Sequence, residues 1–254
     1  MKILISNDDG IRAAGISVLE EIAKSISEDV YVVAPDTNMS GAGHSLTLKT
    51  PLRLNEHDDH HFSVNGTPTD SVVMALKHVI NPKPDIMLSG INYDSNLAED
   101  INYSGTVAAA MEACLLGVSS IAFSQRTFHD GNINWDIARK YGAGIIETIV
   151  KEFEFPKNVL LNINFPAANS VGEVRGIKIT RQGFRVGENH VIQSVDPRGD
   201  PYFWIGGVEH RKNDMTKELE TDLGAVNNNF ISITPISLDF TAVSTMKDLE
   251  EIFK

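Results

Sequence analysis

The residues best equipped for chemistry in this chain are two adjacent carboxylates, Asp8 and Asp9, set in Asn7-Asp8-Asp9-Gly10 just after the apolar run Ile3-Leu4-Ile5. Neighbouring carboxylates repel unless positive charge sits beside them, and a divalent cation with oxygen ligands supplies it. Taken alone, the four residues read slightly better as a solvated turn. Three further oxygen-rich stretches shift the balance: Asn38-Met39-Ser40-Gly41, Ser89-Gly90-Ile91-Asn92 with Asn96, and Tyr103-Ser104-Gly105-Thr106. Two carboxylates with hydroxyl and amide oxygens, and no His or Cys cluster, suit Mg²⁺ or Mn²⁺ better than a thiolate zinc site. Ser104 is the natural N-cap of the Ala-rich helical stretch Val107 to Leu116, whose first N–H groups and positive dipole end would receive a phosphate. Ser40 and Asn92 singly are ordinary loop-capping types, and Ser104 an ordinary cap. Their joint arrangement points to phosphoester chemistry.

Those residues need elements to bring them together. Ile3 to Ile5 reads as a strand covered on both faces, which puts Asp8 and Asp9 at its carboxyl end, where open α/β sheets bind ligands. A helical period over Gly15 to Ile26 and a strand over Val30 to Ala34 complete a strand-helix-strand unit, expected to cross over right-handedly. A long polar loop, Asp36 to Thr50, follows, then short strands 51–54 and 61–64 joined by Asn55-Glu56-His57-Asp58-Asp59-His60, read as a solvated hairpin tip. Thr67-Pro68 opens a helix to Ile80, with Asp70 as a first-turn carboxylate. Strands over 84–89, 118–123 and 159–164 alternate with helices over 107–116 and 135–153, and the loop 90–96 is dense in side-chain oxygens. The expected fold is α/β: a Rossmann-like, doubly wound, mainly parallel sheet in three α/β/α layers. Beyond about Gly172 the pattern changes to strands over 174–180, 202–205 and 230–235 with a short turn at 221–226. The chain is therefore read as one domain, 1–254, with a core of about 1–172 and a β-rich extension of about 173–254 that packs on another subunit.

Composition bounds the partners. Lys plus Arg is 22 against Asp plus Glu of 34, so the net charge is 22 − 34 = −12, which opposes binding to a polymeric nucleic acid. Cys114 has no intramolecular disulfide partner, consistent with a reducing compartment. No apolar run reaches the roughly 18 to 20 residues of a membrane span, so a cytoplasmic location without membrane contact is expected. No Gly-x-x-x-x-Gly-Lys-[Ser/Thr] occurs, Gly41-Ala42-Gly43-His44-Ser45-Leu46 breaks the dinucleotide pattern at its last position, and Asp8-Asp9-Gly10 is not the Asp-x-Asp of aspartyl-phosphate enzymes. Histidines 44, 78, 129, 190 and 210 share no metal-ligand spacing.

Five ordered motifs resemble the survival protein E (SurE) family of metal-dependent nucleotidases. They are Ile5-Ser6-Asn7-Asp8-Asp9-Gly10-Ile11, Val33-Ala34-Pro35-Asp36 with Ser40-Gly41, Gly66-Thr67-Pro68-Thr69-Asp70, Ser89-Gly90-Ile91-Asn92 with Asn96, and Tyr103-Ser104-Gly105-Thr106-Val107. The likeness is dense over residues 1–125 and reappears at Asn164-Phe165-Pro166, Thr221-Asp222 and 231–235. It implies one divalent cation per subunit held by Asp8, Asp9, Ser40 and Asn92, and phosphate contacts from Asn96, Ser104, Gly105 and Thr106. It further implies hydrolysis of nucleoside 5′- and 3′-monophosphates and homodimers or homotetramers built with the C-terminal arm. The mechanism expected for such a site is direct attack of a metal-activated water on phosphorus, with Asp8 or Asp9 as base. Two positions depart from the family: Asp94 where Gly is usual, and Met39 where Gln is frequent. The alternative from another class is a non-enzymatic nucleotide or metal sensor using the same pocket.

Overall fold

The structure, a computed structural model, describes residues 1–185, 187–210 and 218–253, with backbone alone at 187–190 and 206–210; the side chains of His190 and His210 lie outside it. In chain order the strands are β1 (Lys2–Ser6), β2 (Asp29–Pro35), β3 (Leu54–Glu56), β4 (His61–Val64), β5 (Ile86–Tyr93), β6 (Ser119–Gln125), β7 (Val159–Phe165), β8 (Ile177–Ile179), β9 (Gly187–Val195), β10 (Pro201–His210) and β11 (Ile231–Ser237). The α-helices are α1 (Ala14–Lys24), α2 (Pro68–Met74), α3 (Gly105–Leu115), α4 (Asp136–Glu152), α5 (Asp222–Asn227) and α6 (Val243–Ile252).

Nine strands form one sheet in the order β3-β4-β2-β1-β5-β6-β7-β11-β8. The run from β4 to β7 is parallel, β3 pairs antiparallel with β4, and β11 antiparallel with β7. Side chains alternate across it: Ile3 and Ile5 join a core with α1 and α4, while Leu4 joins a second core with α2 and α3. Apolar residues on both faces are what a sheet between two helical layers requires, so the three-layer expectation holds. The chain steps from β1 to β2 in one direction and from β6 to β7 in the other, yet α1 and α4 cover the same face. The β6-α4-β7 crossover therefore has the opposite hand to β1-α1-β2, a departure from the usual rule.

Several boundaries differ from the sequence expectation. β5 continues past Ser89 to Tyr93, because its register against β6 shifts between Ser89 and Asn92 and pairing resumes beyond the irregularity. The helix opened by Thr67 is α-helical only to Met74 and closes in a π turn over Ala75–Val79. The Gly-rich, charged stretch after Arg181 holds β9, which pairs with β10 as a two-stranded ribbon outside the main sheet. The short turn at 221–226 is α5, started by Thr221, whose hydroxyl accepts the Gly224 N–H at 3.1 Å. β8 and β11 belong to the main sheet, so the extension beyond 172 completes the core sheet as well as leaving it.

The extension is fastened near the loop before α3 by Asp222, which has no exposed surface. Its carboxylate accepts N–H groups from Ala98 (2.8 Å), Gly183 (2.8 Å) and Leu223 (2.7 Å). Arg185 adds an ion pair with Asp100 at 2.7 Å and donates to the Leu97 carbonyl at 3.1 Å. Asp222→Ala would leave buried donors without an acceptor. A loss of about 3 kcal/mol follows, read as a fall in melting temperature of roughly 6–12 °C.

Candidate active site

The sheet reverses its winding between β1 and β5: the chain leaves β1 toward β2 and leaves β5 toward β6 on the other side. The carboxyl ends of these two strands flank the crevice where doubly wound sheets take ligands. Asn7 builds the turn there. Its amide donates to the Gly10 carbonyl at 3.0 Å and accepts the Gly10 N–H at 3.1 Å, while Gly10 takes φ +99°. This turn sets Asp8 inward, 3% exposed, and Asp9 at the half-buried rim.

Each of the other oxygen-rich stretches reaches that turn. From the long loop, the Met39 N–H donates to the Asp8 carbonyl at 2.7 Å and Asn38 Nδ2 approaches Asp9 Oδ1 at 3.4 Å; Ser40, next in the loop, is exposed and donates its N–H to Asn38 Oδ1 at 2.8 Å. The loop is held elsewhere as well: Gly43 N–H donates to the Tyr103 carbonyl at 3.2 Å, Thr47 N–H to Asp70 Oδ1 at 2.9 Å, and Thr67 Oγ1 to the Ser45 carbonyl at 2.7 Å. Asp70 is thus a capping-box residue that also anchors the loop, in keeping with its reading as a first-turn carboxylate. From the end of β5, the Tyr93 N–H donates to Asp9 Oδ2 at 3.1 Å. Asn92 Nδ2 donates to the carbonyls of Tyr93 (3.2 Å) and Asp94 (2.8 Å), which turns its Oδ1 toward Thr106, 3.3 Å away.

From α3, the Thr106 hydroxyl hydrogen-bonds Asp8 Oδ1, and its backbone N–H also favours the ionised Asp8. Gly105 lies so near that a β-carbon on it would fall 2.6 Å from Asp8 Cβ and 3.0 Å from Asp8 Oδ2. Ser104 caps α3, its hydroxyl accepting the Val107 N–H at 3.0 Å. Ser104→Ala removes that bond at a cost of about 1 kcal/mol. A fall in melting temperature of roughly 2–4 °C is the expected result.

Asn96 sits differently. It is 6% exposed, donates through Nδ2 to Ser124 Oγ at 2.9 Å and through its backbone N–H to Asn164 Oδ1 at 2.8 Å, and its carbonyl accepts from Asn162 at 2.8 Å. The structure therefore gathers Asp8, Asp9, Asn92, Gly105 and Thr106 at one point, sets Ser104 at its edge, and holds the Asn96 side-chain amide on Ser124 and the Asn96 backbone on Asn162 and Asn164, while Ser40 is bonded through its N–H to Asn38. Asn7, Asn38 and the Tyr93 N–H carry parts of the geometry that the sequence reading passed over. Asn162 and Asn164, two polar residues within an otherwise apolar strand, were the visible signal for that network.

Burial raises the Asp8 carboxyl above its ordinary value, and the charge of Asp9 raises it further, against the Thr106 hydrogen bond. Burial raises Asp9 too, opposed by the Tyr93 N–H. The site thus brings two carboxylates together, and among the described residues neither forms an ion pair with a basic side chain. Among the described residues no group of three or more His, Cys, Asp and Glu side chains is placed to hold a metal, so any cation here would rely on two carboxylates plus neutral oxygens. That donor set fits a hard cation.

Fold and site together define a doubly wound α/β protein with an acidic, oxygen-rich turn meeting a helix N-terminus at its switch point. A family model described as survival protein SurE matches residues 3–189. The chain is 46% identical over its whole length to a protein named 5′-nucleotidase SurE from Paramagnetospirillum magneticum, covering 96% of it. It is 44% identical over 98% of its length to the protein of the same name from Brucella anthropi, covering 96% of that one. The crystal structure of the SurE protein from Aquifex aeolicus superposes with a TM-score of 0.83 at 40% identity, over the whole of both chains. This chain belongs to the SurE family.

Proposed function

We propose that this chain is a 5′-nucleotidase that hydrolyses nucleoside 5′-monophosphates, and 3′-monophosphates, to nucleoside and phosphate. One divalent cation per subunit, Mg²⁺ or Mn²⁺, is assigned to Asp8, Asp9, Ser40 and Asn92. The observation that carries the reading is the meeting of Asp8 with the first turn of α3, through the Thr106 hydroxyl and the close approach of Gly105. The names of the full-length relatives support the activity. When bound, the cation supplies charge neutralisation and Lewis acidity toward a phosphoryl oxygen. The chain's own residues do the rest. Ser104, Gly105 and Thr106 present the helix N-terminus to the phosphate, Thr106 fixes the Asp8 carboxylate, and the Asn92 amide is turned by its bonds to the Tyr93 and Asp94 carbonyls. Either Asp8 or Asp9 is proposed as the base that takes the proton of an attacking water. Phosphate release from nucleoside monophosphates with Mn²⁺ or Mg²⁺, abolished by EDTA, is the expected result; metal-independent release, or none, would refute it.

The C-terminal arm is proposed to join subunits into a homodimer or homotetramer. Val191, Ile192, Val195, Phe203, Trp204 and Ile205 stand exposed on the β9–β10 ribbon, an apolar surface of the kind that covers a partner. Trp204→Asp should shift the light-scattering mass toward the 27.8 kDa of one chain. A cytoplasmic location is proposed on the unpaired Cys114; no helix among the described residues is long and apolar enough to cross a membrane.

A further inference from the structure

Two residues past Asn92 the chain reaches a second cavity, of about 480 Å³, lined by Asp94, Arg126, Phe128, His129 and Asn227 among others. Asp94 takes φ +76°, the left-handed region that favours glycine, which accounts for the family's usual residue there. Its Oδ1 accepts the N–H groups of Ser95 (2.8 Å) and Thr127 (3.3 Å), and these bonds hold the carboxylate against the loop. Arg126 enters from the end of β6, its N–H bonded to the Phe165 carbonyl at 3.0 Å and its guanidinium hydrogen-bonded to the Asn227 side chain. Burial pushes its guanidinium below the ordinary arginine value, the Asp94 charge opposes this and the Arg185 charge adds to it, and it forms no ion pair with any described residue.

A cavity with a cation and an anion kept apart is a poor host for a second phosphate, which Asp94 repels, and for a free cation, which Arg126 repels. It suits a neutral planar group with acceptors on one edge and donors on the next. Guanine is such a group, since O6 and N7 match a guanidinium while N1–H and the 2-amino group match a carboxylate; adenine puts an amine donor where guanine has O6. The half-buried Phe128 ring offers a stacking face. Asn92, whose amide holds the Asp94 carbonyl, stands two residues before the carboxylate that lines this cavity, so the cavity adjoins the Asn92 end of the candidate site. We propose that the cavity is a base subsite selective for guanine, with Arg126 reading O6 and N7 and Asp94 reading the N1–H and 2-amino edge. The inference rests on the nucleotidase reading above.

Calorimetric binding of guanosine, inosine and adenosine to the full chain with Mn²⁺, where there is no ester to hydrolyse, tests it. Guanosine should bind about tenfold tighter than adenosine, with inosine between them, and Arg126→Gln combined with Asp94→Gly should bring guanosine to within about twofold of adenosine. Equal affinities in the native chain, no binding of any of the three, or a guanosine preference that survives the paired substitution would overturn the proposal. If the paired variant does not fold, the native ranking alone decides. Failure of the hydrolytic reading has a separate signature, namely no phosphate release from any monophosphate with metal present, whatever the binding order.

Discussion

Asp8→Asn is expected to lower metal-dependent phosphate release by at least about 100-fold while leaving the fold intact. Losing a residue that merely orients a metal ligand costs about 10 to 100-fold, and Asp8 is assigned as a ligand itself. The stability effect has the opposite sign to that of most buried substitutions. Burial holds the folded Asp8 carboxyl above its unfolded value, so the folded state keeps its proton where the unfolded state has lost it. Without metal, stability therefore falls as pH rises from the ordinary carboxylate value through the raised folded one, and stays lower above it. Asparagine removes that penalty and can still accept the Thr106 hydroxyl. The metal-free variant should melt at or above the native temperature at pH 7. Addition of Mn²⁺ at about a hundred times its dissociation constant should stabilise the native chain by about 2.7 kcal/mol and the variant by far less. Near-native activity in Asp8→Asn, or an equal metal-induced rise in melting temperature for both proteins, would remove Asp8 from the site.

Gly105→Ala should be nearly as damaging to activity, for a steric reason. On an open helix the change would be favourable by up to about 1 kcal/mol. Here the new β-carbon would lie 2.6 Å from Asp8 Cβ and 3.0 Å from Pro68 Cγ, so Asp8 and the start of α2 must move. Overpacking of this kind costs about 1–3 kcal/mol, and a displacement on the order of 1 Å at reacting groups costs about 100-fold in rate. A melting curve and kcat/KM measured on the same preparation check both halves. Native kcat/KM in Gly105→Ala would mean that the first turn of α3 does not set the position of Asp8.

Much of the core was legible because continuous apolar runs and helical periods are local properties. Ile3 to Ile5, Val30 to Ala34 and Val159 to Ile163 each carry apolar side chains to both faces of a sheet, and Thr67-Pro68 and Ser104 mark helix starts by chemistry that acts within one turn. Asn92 and Tyr93 look like loop residues because polar types usually leave a strand, yet the shifted register after Ser89 keeps them paired with Ser124 and Gln125. β9 is diluted by Gly and charge, and α5 spans too few residues to show a period. α6 places Val243, Met246, Leu249 and Ile252 on an exposed surface that no described element covers, so its pattern had no core to announce.

For the opening turn, the sequence by itself determined the chemistry on offer: adjacent carboxylates at the end of a buried strand, oxygen donors in three later loops, and a capped helix start. The tertiary structure alone decided which of these meet. Thr106 and Asp8 are 98 residues apart, and Tyr93 and Asp9 are 84 apart. Such contacts follow from strand order and from the reversal of winding between β1 and β5, which no local pattern encodes. The same packing bound Asn96 into the network of Asn162 and Asn164 and set Asp94 across a cavity from Arg126. Side-chain type is written residue by residue, whereas proximity depends on how the whole sheet is assembled.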